Sequence, residues 1–275
     1  MEDSIKIALG TVQFGMDYGI SNPAGKVHPD EVGRILEYAQ ESKIDVLDTA
    51  QAYGDCERVL GAFDLSGFRV ISKIIGEGHV EDTLSKLRLS SIDGLMFHRQ
   101  EEVNDESWAR FEKAKAQKLV KKIGVSVYSP SMLEILIMRY PIDIVQIPMN
   151  ILDQRFLSLL PKLKQRHIEV HTRSAFLQGL LLMDVDRLNS YFNPIADILK
   201  SIPVPRLAHT LHFLKQQAGV DAMVVGVTKE RELREIVEQY KMGLPDFNYA
   251  KYRIDEEKFI NPSFWRLNDE NVEHS

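Results

Sequence analysis

A single cysteine, Cys56, is all the thiol chemistry that the 275 residues contain. One thiol makes no intramolecular disulfide, so the fold must rest on its apolar core, and the chain suits a reducing compartment. Long apolar runs are missing too: none approaches the roughly 20 residues that a membrane helix requires, and no membrane partner is expected. The opening Met1-Glu2-Asp3-Ser4-Ile5-Lys6 lacks the basic start and apolar stretch of a secretory signal, so a cytoplasmic location is expected. Positive charge is not in excess: 34 Lys and Arg face 40 Asp and Glu, for a net charge of −6. The lysines are dispersed, so no nucleic-acid partner is expected. Histidines do not cluster at metal-ligand spacing; His167 and His171 bracket one strand-like run and read as structural or surface residues, and no metal is expected. No Rossmann glycine fingerprint occurs either. What is present is ordinary globular composition, 44% hydrophobic and 27% charged.

The chain alternates strand-like and helix-like segments. Ile5–Leu9 reads as a strand ending at Gly10-Thr11, and a loop with Gly15, Gly19 and Gly25 follows it. Pro29 opens a helix that carries Val32, Ile35, Leu36 and Ala39 at helical spacing. Further strands are predicted over 44–47, 69–72, 94–97, 122–126, 142–146, 168–172 and 222–225. Between them helices are predicted around 58–63, from Val80 to Leu87, around Trp108 to Ala114, from Pro130 to Ile137 and over 156–165. The last is the clearest, with Leu233, Ile236, Val237 and Tyr240 on one face. Eight such units predict one α/β domain over 1–275, a (β/α)8 TIM barrel with right-handed crossovers. Roughly 175–205, with Pro194, Pro203 and Pro205, reads as irregular, and the 243–275 tail is expected to pack near the substrate pocket.

Active sites of such barrels lie at the C-terminal ends of the strands. Asp48, Lys73 and His98 directly follow the second, third and fourth predicted strands. Adjacent strands lie about 4.8 Å apart, so these side chains can share one pocket, and Tyr53 can reach it from the loop after Asp48. A polar residue at a strand end is by itself often only a solvated loop residue; four on three neighbouring strands point to a site.

These residues, in order, resemble the Asp–Tyr–Lys–His tetrad of the aldo-keto reductase family, and the resemblance runs through nearly the whole chain. It is carried by Asp48-Thr49-Ala50 with Tyr53-Gly54, by Ser72-Lys73 and by His98. Thr83–Leu89 with Ile92–Leu95, Lys122–Ser126 and Val145–Asn150 resemble the family's approach to the histidine strand and its fifth and sixth strands. Leu9–Gly15 is closer to the bacterial branch. The resemblance implies NAD(P)H-dependent reduction of an aldehyde or ketone. A tyrosine ordinarily titrates near ~10, poorly matched to proton transfer at neutral pH. Lys73 is therefore expected to lower the Tyr53 pKa, Asp48 to hold Lys73 charged, and His98 to donate to the carbonyl oxygen.

The cofactor, NADP(H) or NAD(H), follows from the same resemblance. Ser126 and Gln146 match residues that bind the nicotinamide carboxamide, with Thr11 and Asp48 at the same face of the site. Arg173, Ser174, Phe176 and Leu177 match the segment over the nicotinamide and pyrophosphate. Gly226, Thr228, Lys229 and Arg231 match the adenosine phosphate site at a helix start. Four departures stand out, one of them Ile236 where the family often has an asparagine against the adenine. Val127 replaces an asparagine, Arg173 replaces the stacking aromatic, and Glu232 falls where an arginine grips the 2′-phosphate. Lys229 and Arg231 then remain as phosphate partners, and acceptance of both dinucleotides with a modest NADPH preference is expected.

Two other readings stay open: a catalytically idle, cofactor-binding barrel serving as a regulatory or scaffold subunit, and an aldolase with a Schiff base on Lys73. Against the aldolase, Asp48 should keep Lys73 protonated. Asp17, Tyr18 and Arg99 near the expected pocket favour a small, polar or sugar-like carbonyl substrate over a steroid. Oligomeric state is not legible.

Overall fold

The computed structural model describes residues 6–265 and 267. Eight parallel strands close into a barrel in sequence order. They are β1 Lys6–Gly10, β2 Val46–Asp48, β3 Arg69–Ile74, β4 Ile92–Phe97, β5 Val120–Ser126, β6 Ile144–Pro148, β7 Glu169–Arg173 and β8 Ala222–Gly226. The closure pairs β8 with β1 and sets Gly10 opposite Gly226. Helices cover the outside: α1 Val12–Gly15, α2 Pro29–Glu41, α3 Cys56–Leu60, α4 Val80–Leu87, α5 Asp105–Ala116 and α6 Pro130–Arg139. They continue with α7 Leu160–Gln165, α8 Ala196–Ser201, α9 Arg206–Lys215, α10 Glu230–Met242 and α11 Glu257–Ile260. The fold is the expected (β/α)8 barrel.

Most strand residues are buried and apolar, because the barrel's inner face and the face under the helices are both covered. Inside the barrel Ala8, Val46, Ile71, Met96, Ile144 and Ala222 form one small cluster, with Val224 packed on it. This plug fills the interior below the strand ends, so the barrel is a floor and not a channel. Outside, the helix faces join a much larger cluster that runs around the barrel. Helix starts are specified locally. His28 caps α2 by accepting from Asp30 N, with Pro29 at the first helical position, and Ser129 caps α6 by accepting from Met132 N at 3.3 Å. Asn104 and Ser107 cap α5 reciprocally, each backbone N–H donating to the other side chain at 3.0 Å.

The main departures from the sequence reading lie between β6 and β8. The helix expected over 156–165 is a 3₁₀ turn, Leu157–Leu159, followed by α7. Pro161 explains the break, since it has no N–H to continue a helix and sits at the start of α7 instead. The stretch expected to be irregular holds 3₁₀ turns at Leu177–Leu182, Val185–Arg187 and Ser190–Ile195 before α8. Directly after Pro205, α9 supplies the outer helix between β7 and β8, which the prolines had concealed.

The described part of the tail packs against the loop after β6. Ile254 N donates to Leu152 O at 2.9 Å, and Gln154 Nε2 donates to Tyr249 O at 2.9 Å. Tyr249, Tyr252 and Phe259 are buried there. That places the tail at the mouth end of the barrel on the β6–β7 side. Among the described residues none of its hydrogen bonds reaches Asp48, Tyr53, Lys73 or His98. Residue 266 and residues 268–275 lie outside the described residues.

Candidate active site

Asp48 is the last residue of β2, Lys73 the fifth of six in β3, and His98 follows β4 at once. The strand pairing sets Lys73 beside Met96, one turn of the pleat below His98. Tyr53 stands on the loop that leads from β2 into α3. Two glycines make that loop possible. A Cβ on Gly15 would lie 1.8 Å from Tyr53 O, so only glycine lets the first loop rest on the tyrosine's turn. Gly54 itself has φ +60° and would put a Cβ 2.4 Å from Gly15 O. The backbone that carries Tyr53 is thereby locked against the loop after β1.

Lys73 and Asp48 form a buried ion pair. Lys73 Nζ donates to both Asp48 oxygens at 2.7 Å and to Thr49 O at 3.0 Å, and only 1% of the lysine is exposed. Thr11 braces the same corner, its N and Oγ1 donating to Asp48 O at 3.0 and 2.9 Å. The lysine nitrogen lies 5.2 Å from the Tyr53 ring centroid, and the Tyr53 and His98 rings meet edge-on at 5.7 Å. The four side chains thus lie together at one end of the barrel.

The electrostatics differ from the expectation in one respect. Burial, and then the Asp48 charge, push the Tyr53 phenol well above its ordinary pKa. Lys73 was expected to lower it, but all three donor positions of the ammonium face Asp48 and Thr49. Tyr53 is therefore a neutral phenol across the physiological range. Its hydroxyl makes no hydrogen bond to another described residue, which leaves the proton free for a ligand. Burial and then Lys73 bring the His98 pKa down to about 4. The imidazole is neutral above that pH and has one ring N–H to donate.

Not every expected cofactor residue faces open space. Ser126 lies at the end of β5, nearly buried. Gln146 Nε2 donates to Asp48 Oδ1 at 2.7 Å, so the amide is joined to the ion pair. Thr11 and Leu177 are fully buried, and the Thr11 hydroxyl is spent on Asp48 O. Arg173 does not lie open for stacking: its Cζ sits 3.8 Å from the Tyr128 ring centroid, and Nη2 donates to Val127 O at 3.2 Å. Ser174, at φ +61°, turns the chain out of β7 toward Phe176, which is partly buried against the core. Gly226 and Thr228 sit at the end of β8, and Lys229 and Arg231 are exposed at the start of α10.

One residue that the sequence reading passed over is Gln13 in α1. It is buried, its Oε1 has no partner, and a Cβ on Gly226 would lie 2.8 Å from its Nε2. No residue pattern marked it, because only the β1–β8 closure brings it to Gly226. Among the described residues no group of His, Cys, Asp and Glu is placed to hold a metal. His171 is fully buried, with Nε2 2.8 Å from Glu169 Oε1.

Known proteins share this architecture. An aldo-keto reductase of Bacillus halodurans, AKR11C1 in its holo form, superposes with a TM-score of 0.72 at 18% identity, covering 88% of each chain. The glycerol dehydrogenase AKR11B4 of Gluconobacter oxydans gives a TM-score of 0.63 at 20% identity, over 90% of this chain and 98% of that one. In sequence, the uncharacterized oxidoreductase YqkF of Bacillus subtilis (strain 168) is 24% identical over 245 residues, 74% of this chain and 80% of that protein. The model of the Aldo/keto reductase family matches residues 6–254, nearly the full described barrel, and the chain belongs to that family.

Proposed function

We propose that this barrel reduces the carbonyl group of a small, polar aldehyde or ketone with a reduced nicotinamide dinucleotide, and that Tyr53 is its general acid. The observation that carries the reading is the convergence of a neutral phenol and a neutral imidazole beside a buried Lys73–Asp48 pair. The chain's residues suit a dinucleotide. The orphaned Gln13 Oε1 is a buried acceptor awaiting a donor, and the Gln13 amide rests against Gly226, where a Cβ would collide with it. Ser126, Gln146, Arg173 and the loop from Ser174 would hold the nicotinamide side, and Gln13, Gly226 and Thr228 the adenosine side. When bound, the reduced nicotinamide supplies hydride to the carbonyl carbon.

The protein's own part is to place the carbonyl oxygen and give it a proton. His98 donates a hydrogen bond to that oxygen and fixes its direction. Tyr53 releases its proton as negative charge builds there. The Lys73 ammonium, 5.2 Å from the ring centroid, offsets the phenolate charge that remains. Asp48 keeps the ammonium in place, and Gln146 keeps Asp48 in place. At the mouth Tyr18 and Tyr128 are each more than one-third exposed, and Arg173 lies against Tyr128. Such a rim of hydroxyls and a guanidinium favours a hydroxylated substrate over a purely apolar one.

The test is a panel of aldehydes, including hydroxylated and sugar-derived ones, supplied with NADH and with NADPH. Oxidation of the dinucleotide matched one-to-one by alcohol is the expected result. Dinucleotide binding without turnover on any member would instead mark an idle, cofactor-binding barrel.

A further inference from the structure

Parallel barrels commonly bind phosphate with the loops after the seventh and eighth strands and a nearby helix N-terminus. Here that helix is α10, which is 13 residues long and begins four residues after β8. Three successive backbone amides at its start, those of Thr228, Lys229 and Glu230, are already engaged by the protein's own carboxylates. Glu232 folds back so that Thr228 N donates to its Oε2 at 2.7 Å and Lys229 N at 3.3 Å. Thr228 Oγ1 donates to the same carboxylate at 3.1 Å. The next amide, Glu230 N, donates to Glu31 Oε1 at 2.6 Å. Glu31 belongs to the first turn of α2, and that backbone bond is the largest cause holding its carboxyl below the usual range. Two glutamate side chains from distant parts of the sequence therefore sit where an added phosphate would need free amides.

Building on the dinucleotide reading above, we propose that Glu31 and Glu232 make the site selective for NAD(H) over NADP(H). A 2′-phosphate would have to displace a carboxylate from charge-assisted bonds and then lie beside it. The adenosine of NAD(H) carries a hydroxyl at that place, which a carboxylate accepts. The nearby cations do not reverse this. Arg34 is paired with Glu31 and Arg234 with Glu230. Lys229 and Arg231 are exposed at the helix start, where a solvated ion pair contributes little. Gln13 supports a ligand on this side of the barrel independently, since its unpartnered Oε1 is buried at Gly226.

The test is calorimetric titration of the whole protein with NADH and with NADPH, repeated on Glu31→Gln, Glu232→Gln and the double variant. Glutamine keeps the acceptor oxygen that caps the helix and removes only the charge. The wild type should bind NADH at least about tenfold tighter than NADPH, a difference of about 1.4 kcal/mol. In the double variant that ratio should fall by about threefold or more. NADPH bound as tightly as NADH by the wild type would overturn the proposal and leave the reductase reading intact. An undiminished ratio in a folded double variant would also overturn it, and if that variant does not fold, the wild-type ratio decides. Binding of neither dinucleotide would overturn both this proposal and the function on which it rests.

Discussion

Tyr53→Phe is expected to lower kcat for carbonyl reduction by about 10²–10⁴-fold, the usual contribution of a placed general acid. Dinucleotide affinity and thermal stability should stay close to the wild type. The structure makes this an unusually clean substitution. The Tyr53 hydroxyl has no hydrogen bond to another described residue, so its removal leaves no partner unsatisfied. The phenylalanine ring keeps its edge-on contact with His98, and the glycines that seat the loop are untouched. Steady-state rates on any aldehyde that the wild type turns over, with circular dichroism as a control, would measure it. A variant retaining more than about half the activity would remove Tyr53 from the role of acid.

Lys73→Met should produce the largest loss of stability of any single change at the site. The lysine is 1% exposed and donates to both oxygens of Asp48. Without it the buried carboxylate keeps, among the described residues, only the Gln146 amide as a side-chain donor. Breaking a buried pair from one side costs on the order of 3–5 kcal/mol. The deficit should depend on pH, with a definite sign. A buried carboxylate without its ammonium has a folded-state pKa raised above the unfolded value of about 3.9. The folded variant then binds the extra proton, so its deficit is full above the raised pKa and relieved as pH falls through it. Urea melts should therefore show a larger gap from the wild type at pH 8 than at pH 5. Equal gaps would mean that Asp48 does not depend on Lys73. Activity should fall by at least about tenfold, because the Asp48 charge would then act on the phenol unopposed.

The placement of Asp48 and His98 was legible in the sequence because it depends on where apolar runs stop, whereas Lys73, expected just past its strand, lies inside β3 with Ile74 after it. The run Leu95-Met96-Phe97 stops at His98 and Val46-Leu47 stops at Asp48, and a barrel puts such strand ends on one face. What the chain order hides is how those residues share their hydrogen bonds. The Gln146 amide donates to Asp48, a bond that no residue pattern announced, and all the hydrogen bonds of Lys73 go to Asp48 and Thr49. Both outcomes follow from the carboxylate's burial: a charge that loses its water collects every donor in reach. Contacts across the barrel closure were equally hidden. Gln13 meets Gly226, and Glu31 reaches Glu230 N across 199 residues, only because β8 returns to β1. α9 escaped notice for a local reason, as Pro203 and Pro205 read as the end of order when Pro205 in fact precedes the helix start.

The central claim is that reduction draws its proton from a phenol that burial keeps neutral, beside an imidazole that is neutral as well. The pH dependence of single-turnover reduction, with enzyme, reduced dinucleotide and aldehyde premixed in limiting amounts, tests that most directly. His98 loses its charge above about pH 4, and Tyr53 stays protonated beyond the ordinary phenol value. The rate should therefore be level from about pH 5 to about pH 9. A rate that instead falls across an apparent pKa near 7 would mean that the proton comes from another group, or from a phenol whose pKa is lowered, and would contradict the account.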